Sequence, residues 1–351
     1  MRPHRATALL LLALAQPTLA AAGGGYIFTR IADNGGAVST FVSAGLNDVG
    51  AVAMTATLRA GGYAVLTGDG RRLATVATIT GHNSTFSRAA IDRRGEVFFQ
   101  STSRGVEALL RGFQGRLSTV IDNSGPFDLL AGGPIVDARG TVTFFGTLRG
   151  AAGVYSLAGG KLTKIVEDPR LTVTFAPPFG VNGRGQAVFA ANPDDPSATT
   201  LVVSDGRRAR VVADGSGAIA LFTSAAIDDG GRVAFTVLRK DGTQAMYLAG
   251  PTGGAQTVVT TEAPYRDLHV AGFTGAGQLV WSGSLDSGES GVFAGLDADA
   301  GKVLGEGDTL DGKTVAEAAA TAVNATGQIA IVILFEDGTR AVYRAQPARP
   351  R

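Results

Sequence analysis

An apolar residue, then Asn or Asp (Thr in one copy), two variable positions, Gly, and a β-rich run ending on a large apolar side chain: this pattern returns seven times along the chain. The anchor positions are Asn47, Asp92, Asp137, Asn182, Asp228, Thr274 and Asn324, and Gly stands three residues after each. Successive anchors lie 45, 45, 45, 46, 46 and 50 residues apart. A near-constant period of this length marks a repeat architecture, because each unit is one small element that cannot bury its apolar face alone. The units must therefore stack on one another.

One unit reads as four strands. In the second, Thr85 to Ile91 is an apolar-rich run, and Asp92-Arg93-Arg94-Gly95 is a turn. The Asp can accept backbone amides ahead of it, and the Gly tolerates positive φ. Glu96 to Ser101, Val106 to Arg111 and Arg116 to Asp122 are further β-rich runs, separated by Ser103-Arg104-Gly105 and Gln114-Gly115. No helical period intervenes, so the unit is a four-stranded antiparallel meander. Five residues past the anchors stand Val52, Val97, Val142, Ala187, Val233, Leu279 and Ile329. Seven past stand Met54, Phe99, Phe144, Phe189, Phe235, Trp281 and Ile331. Alternation puts both positions on one strand face, where a neighbouring sheet can cover them. Trp281 is expected there as packing rather than as a ligand-stacking ring.

Sheets of this kind stack into an open spiral or a closed ring, and the chain ends favour closure. The last unit stops one strand short, after Arg340 to Arg344, and Tyr26 to Asp33 resembles the fourth strands elsewhere. The expected fold is all-β: a seven-bladed β-propeller of four-stranded antiparallel blades, its last blade completed by the N-terminal strand.

The N-terminus reads as a secretory signal over residues 1–22. Arg2, His4 and Arg5 precede an apolar run from Ala6 to Ala15, too short to span a bilayer, and small residues follow for cleavage. Residues 26–345 then form one propeller domain, with a short tail at 346–351. Loss of Arg2 and Arg5 leaves 29 basic against 30 acidic residues, a balance that offers nucleic acid or an anionic membrane no net attraction. The absence of Cys excludes disulfides, Cys–zinc sites and thiol chemistry. Export without cysteine points to the periplasm or exterior of a bacterium, with no membrane span after signal cleavage.

The anchor motif, plainest in Asn182 to Phe189 and Asp228 to Phe235, resembles that of bacterial exported tandem-repeat proteins with an NxxGxxAF motif. The resemblance covers about residues 26–345. It implies a propeller-like exported protein of no established activity, and it supplies no catalytic residues. Many relatives end in a sorting segment with a transmembrane stretch. Only Ala345 to Arg351 follow the last strand here, which argues against anchoring. Thr274 departs from the Asn/Asp anchor and predicts a looser sixth turn.

Signals for chemistry are sparse. Outside the leader, His82 and His269 are read as polar residues at or near fourth-to-first strand connections, on blades too far apart to share a metal unless both face the channel mouth. The anchors offer mostly one oxygen side chain per turn, unlike a calcium loop, so turn capping explains them best. No cofactor is expected, calcium being the one candidate. Irregular loops give the candidate ligand-binding residues. Glu167, Asp168, Asp194 and Asp195 could converge on a cation or cationic ligand; the alternative is solvent-facing acidic turns. Tyr265, Arg266, Asp267 and His269 form a second irregular segment suited to a partner.

The sequence therefore favours a non-enzymatic, monomeric binding scaffold presenting loops on one face to a protein or glycan. The alternatives are a hydrolase or lyase at the channel mouth, using Asp194 or Asp267 with His269, and a structural surface-layer protein.

Overall fold

The computed structural model describes residues 20–22, 25–81, 83–137, 139–167, 179–191, 199–215, 217–261, 267–284 and 290–348. They form a seven-bladed β-propeller of four-stranded antiparallel sheets. Blade I consists of Val38–Leu46, Val52–Leu58, Tyr63–Gly68 and Leu73–Ile79, paired in that order from the axis outward. The five blades that follow repeat the plan. In blade VII, Lys313–Val323, Ile329–Phe335 and Arg340–Pro347 are completed by Tyr26–Asp33, which pairs antiparallel with Arg340–Pro347. The two ends of the chain thus share one sheet, as the sequence predicts. Ala20–Ala22 add a short outer strand against Tyr26–Phe28, a pairing that removal of residues 1–22 would delete.

Two local departures have clear causes. The first strand of blade II is split into Ser84–Phe86 and Ala90–Ile91. The Ser87 amide still bonds the Gln100 carbonyl, and Ser87 Oγ accepts the Gln100 amide at 2.8 Å. The longest interval, from Thr274 to Asn324, holds a short helix, Ala298–Gly301, and an extra hairpin strand, Thr309–Leu310.

The core is a set of layers between blades. Each of the seven apolar clusters joins two adjacent sheets, and the last joins blade VII to blade I. The residues five and seven past the anchors are 2% exposed or less in every blade. They fill these layers because alternation aims both at the preceding blade. No helix among the described residues is long and apolar enough to cross a membrane.

Each anchor turn fills five residues between its first and second strands. The glycines at its fourth position hold φ between 76° and 86°, which explains their presence in every copy. The Asn or Asp side chain accepts amides from inside its own turn. Asp92 Oδ1 takes those of Arg94 at 2.9 Å and Glu96 at 2.8 Å, for example. Thr274 keeps the backbone turn but accepts only the Gln278 amide, at 3.1 Å.

Asparagine anchors do something that aspartates cannot. Asn47 Nδ2 donates to the Asp92 carbonyl at 2.7 Å, Asn182 Nδ2 to the Asp228 carbonyl at 2.9 Å, and Asn324 Nδ2 to the Asn47 carbonyl at 2.8 Å. The last of these bonds crosses the ring closure. At Asp228, which has no donor, Arg232 reaches the Gly277 carbonyl of blade VI instead. Asn324→Asp should therefore destabilise by about 2–4 kcal/mol, since its carboxylate would face the Asn47 carbonyl and Gln328 Oε1 with no proton to offer. Asp92→Asn keeps its cap and adds a donor, so it should cost less than about 1 kcal/mol. Urea unfolding of the two variants measures the contrast; equal losses would show that the clasp carries no energy.

Candidate functional site

The innermost strands of the seven blades wall a central channel with a cavity of about 330 Å³. At the anchor-turn end it is lined by the apolar residues that precede the anchors. The walls approach closely because small residues face one another. A Cβ on Gly45 would lie 2.5 Å from the Ala89 carbonyl, and one on Gly180 3.0 Å from that of Ala225. Farther along, the lining turns polar, with Arg88, Thr223, Thr321 and His269.

Arg88 and His269 are the only charged or titratable side chains among the described residues of this lining. Arg88 sits at the break in the first strand of blade II. The Thr55 hydroxyl of blade I donates to the neighbouring Ser87 carbonyl at 2.7 Å and fixes that segment. His269 opens the inner strand His269–Phe273 of blade VI. The flanking amides are tied to blade V, Leu268 to Gln244 Oε1 at 2.7 Å and Val270 to Ser224 Oγ at 2.9 Å. Leu268 and Val270 turn into the apolar layer between blades V and VI, which leaves His269 to the lumen.

The two groups sense each other across the channel. Burial, and secondarily the Arg88 charge, push the His269 imidazole down to about 4, so it is neutral at pH 7. Arg88 is exposed to the lumen; the crowding of the channel walls around it lowers its proton affinity, and it nevertheless stays charged. Its guanidinium has no hydrogen-bond or ion-pair partner among the described residues.

A pH dependence follows. Unfolded His269 takes up a proton near pH 6.5, whereas folded His269 resists until about pH 4. Between those values the unfolded state binds more protons, so stability falls as pH falls. The loss should be about 2–3 kcal/mol, lessened by water in the lumen. Carboxylates such as Asp337, held at about 2 by hydrogen bonds from Lys313 and Thr339, lose their contribution only in stronger acid. His269→Gln should flatten the slope of urea-unfolding free energy between pH 7 and pH 4.5; an unchanged slope would refute the assignment.

Of the candidate ligand residues, His269 belongs to the channel wall rather than to a loop. Asp267 is exposed just before that strand, and no carboxylate contributes to the proton affinity of His269. Glu167 ends an outer strand of blade III. Asp168, Asp194, Asp195, Tyr265 and Arg266 lie outside the described residues, as does His82. The second acidic residues of two anchor turns serve as braces between blades: Asp48 Oδ1 accepts the Ala325 amide and Asp229 Oδ1 that of Gly183. Among the described residues, no group of three or more His, Asp or Glu could hold a metal. Arg88 was missed by sequence reasoning, which placed it inside an ordinary strand.

No family model and no curated protein sequence matches the chain. Among solved structures it is similar to YCF48 from Cyanidioschyzon merolae, at 11% identity over 91% of this chain and 99% of that one, with a TM-score of 0.53. It is similar also to YCF48 bound to D1 peptide, at 12% identity over 94% and 98%, with a TM-score of 0.51. At such identities the likeness is one of fold.

Proposed function

We propose that this chain is an exported, non-enzymatic scaffold of the bacterial NxxGxxAF type, which presents loops on one face of a rigid disc to a protein or glycan. The observation that carries the reading is an asymmetry between inter-strand connections. All seven anchor turns have the same length, and several are bonded blade to blade. Fourth-to-first and second-to-third connections share the opposite face. They range from the two residues Arg104–Gly105 to the long segments 168–178 and 192–198. Connections free to vary on a fixed scaffold are where recognition is usually built. A propeller of this fold, YCF48, has been captured with a D1 peptide; for this chain, its own loops support the reading. The neutral His269, apart from any described acid, weighs against the hydrolase alternative.

The test is a glycan array and a panel of purified envelope proteins, probed with the full chain and with a variant whose 192–198 and 262–266 segments are replaced by short Gly turns. A ligand lost by the variant at unchanged melting temperature supports the reading. Binding that survives the replacement, or hydrolysis of an arrayed glycan, overturns it.

A further inference from the structure

The geometry points to a small-oxyanion site inside the channel, where a carboxylate or phosphate group is held between the Arg88 guanidinium of blade II and the His269 imidazole of blade VI. This site lies apart from the variable loops and does not depend on their function.

Four observations converge on it. First, Arg88 is a permanent cation on the channel wall, exposed to the lumen, with no counter-ion or hydrogen-bond acceptor among the described residues. Its N–H donors are left to channel water, and an oxyanion can take the place of that water. Secondly, the described lining holds no Asp or Glu, so nothing on these walls would repel an anion or neutralise Arg88 in its place. Thirdly, His269 lines the same cavity as Arg88, and the Arg88 charge adds to the burial that keeps its ring neutral. Its neutral ring has one N–H to donate, and it would gain a second on protonation. Fourthly, the cavity has room: about 330 Å³ is at the small end of ligand sites, enough for a compact acid and too little for a folded partner.

The chemistry fits an oxyanion better than a spherical ion. A guanidinium offers a planar fork of N–H donors that matches two oxygens of a carboxylate or phosphate. A chloride can use only part of that fork. The Thr223 hydroxyl, also in the lining and bonded to Thr236 Oγ1 at 2.7 Å, can supply a further polar contact at the same end. A bound negative charge favours imidazolium, so occupancy at the site must raise the proton affinity of His269. Arg88 and His269 come from blades on opposite sides of the ring. A bound anion would therefore brace the disc across its axis.

The experiment is NMR titration of the His269 imidazole in the full chain, with inorganic phosphate, acetate and chloride in separate series. A saturable shift with phosphate or acetate, together with a rise of about 1 unit or more in the His269 pKa, supports the site. Whichever probe saturates at lower concentration identifies the source as phosphate or carboxylate. Arg88→Gln should weaken binding by about tenfold or more, and Arg88→Lys by less. If Arg88→Gln does not fold, the lysine variant and the wild-type titration decide. No saturable shift with either oxyanion, an equal response to chloride, or an Arg88→Gln variant that binds like wild type overturns the proposal.

Discussion

Deletion of residues 26–33 should abolish the cooperative unfolding transition of the propeller. Tyr26–Asp33 pairs along its length with Arg340–Pro347, from Tyr26 opposite Pro347 to Asp33 opposite Ala341. Its side chains serve two interfaces at once. Phe28, fully buried, belongs to the layer between blades VI and VII, while Ile31, 1% exposed, belongs to the layer between blades VII and I. Each such side chain contributes about 1.5–3 kcal/mol of burial. The deletion also turns Arg340–Pro347 into an open edge available to other chains. Against a whole-domain stability of about 5–15 kcal/mol, these losses together are large enough to unfold the ring. The variant should aggregate or melt without a sharp transition, and a synthetic peptide of the Tyr26–Asp33 sequence added in trans should restore part of the transition. Phe28→Ala, which leaves the strand in place, should cost about 3–5 kcal/mol. A deletion variant that melts as the full chain does would mean that closure contributes nothing.

The repeat made the fold legible because it encodes packing directly. Val97 and Phe99, like their counterparts in every unit, share a strand face by alternation, and that face has to meet another sheet. Closure was legible from the strand missing after Arg340–Pro347 and the spare one at Tyr26. The distinction between Asn47, Asn182 and Asn324 on one hand and Asp92 and Asp137 on the other was present in the sequence. An amide carries donors that a carboxylate lacks, and a clasp to the next blade could have been inferred from that difference. The channel pair was not legible. Arg88 lies where the strand of blade II leaves its ladder, and a linear pattern shows neither that break nor the side chain facing it from the far side of the ring. His269 follows a loop-like run from Pro264, so it reads as part of the loop; only the pairing of His269 with Ser282 makes it a wall residue.

Trp281→Ala tests the layered core at its largest single side chain. Trp281 is fully buried between blades V and VI, packed with Met246, Leu248 and Leu268. Its ring stacks on Phe293 at 4.4 Å and 25°, and its Nε1 donates to the Gly295 carbonyl at 3.0 Å. Truncation would remove the ring, the stacking and the bond together, leaving a cavity that paired sheets on either side cannot readily collapse. The expected cost is about 3–5 kcal/mol, read by urea unfolding. Trp281→Phe separates the contributions. Phenylalanine is what blades II, III, IV and V carry at this position, and it preserves an aromatic face against Phe293, but it leaves the Gly295 carbonyl without its indole donor. It should lose about 1–3 kcal/mol. In a ring each interface is braced by the other six, so a weakened layer between V and VI should lower the stability of the whole disc rather than release one blade. Hydrogen exchange should then show protection falling in all seven blades to a similar degree. Loss confined to blades V and VI, with the remainder unchanged, would mean that the blades open independently and that closure does not couple them.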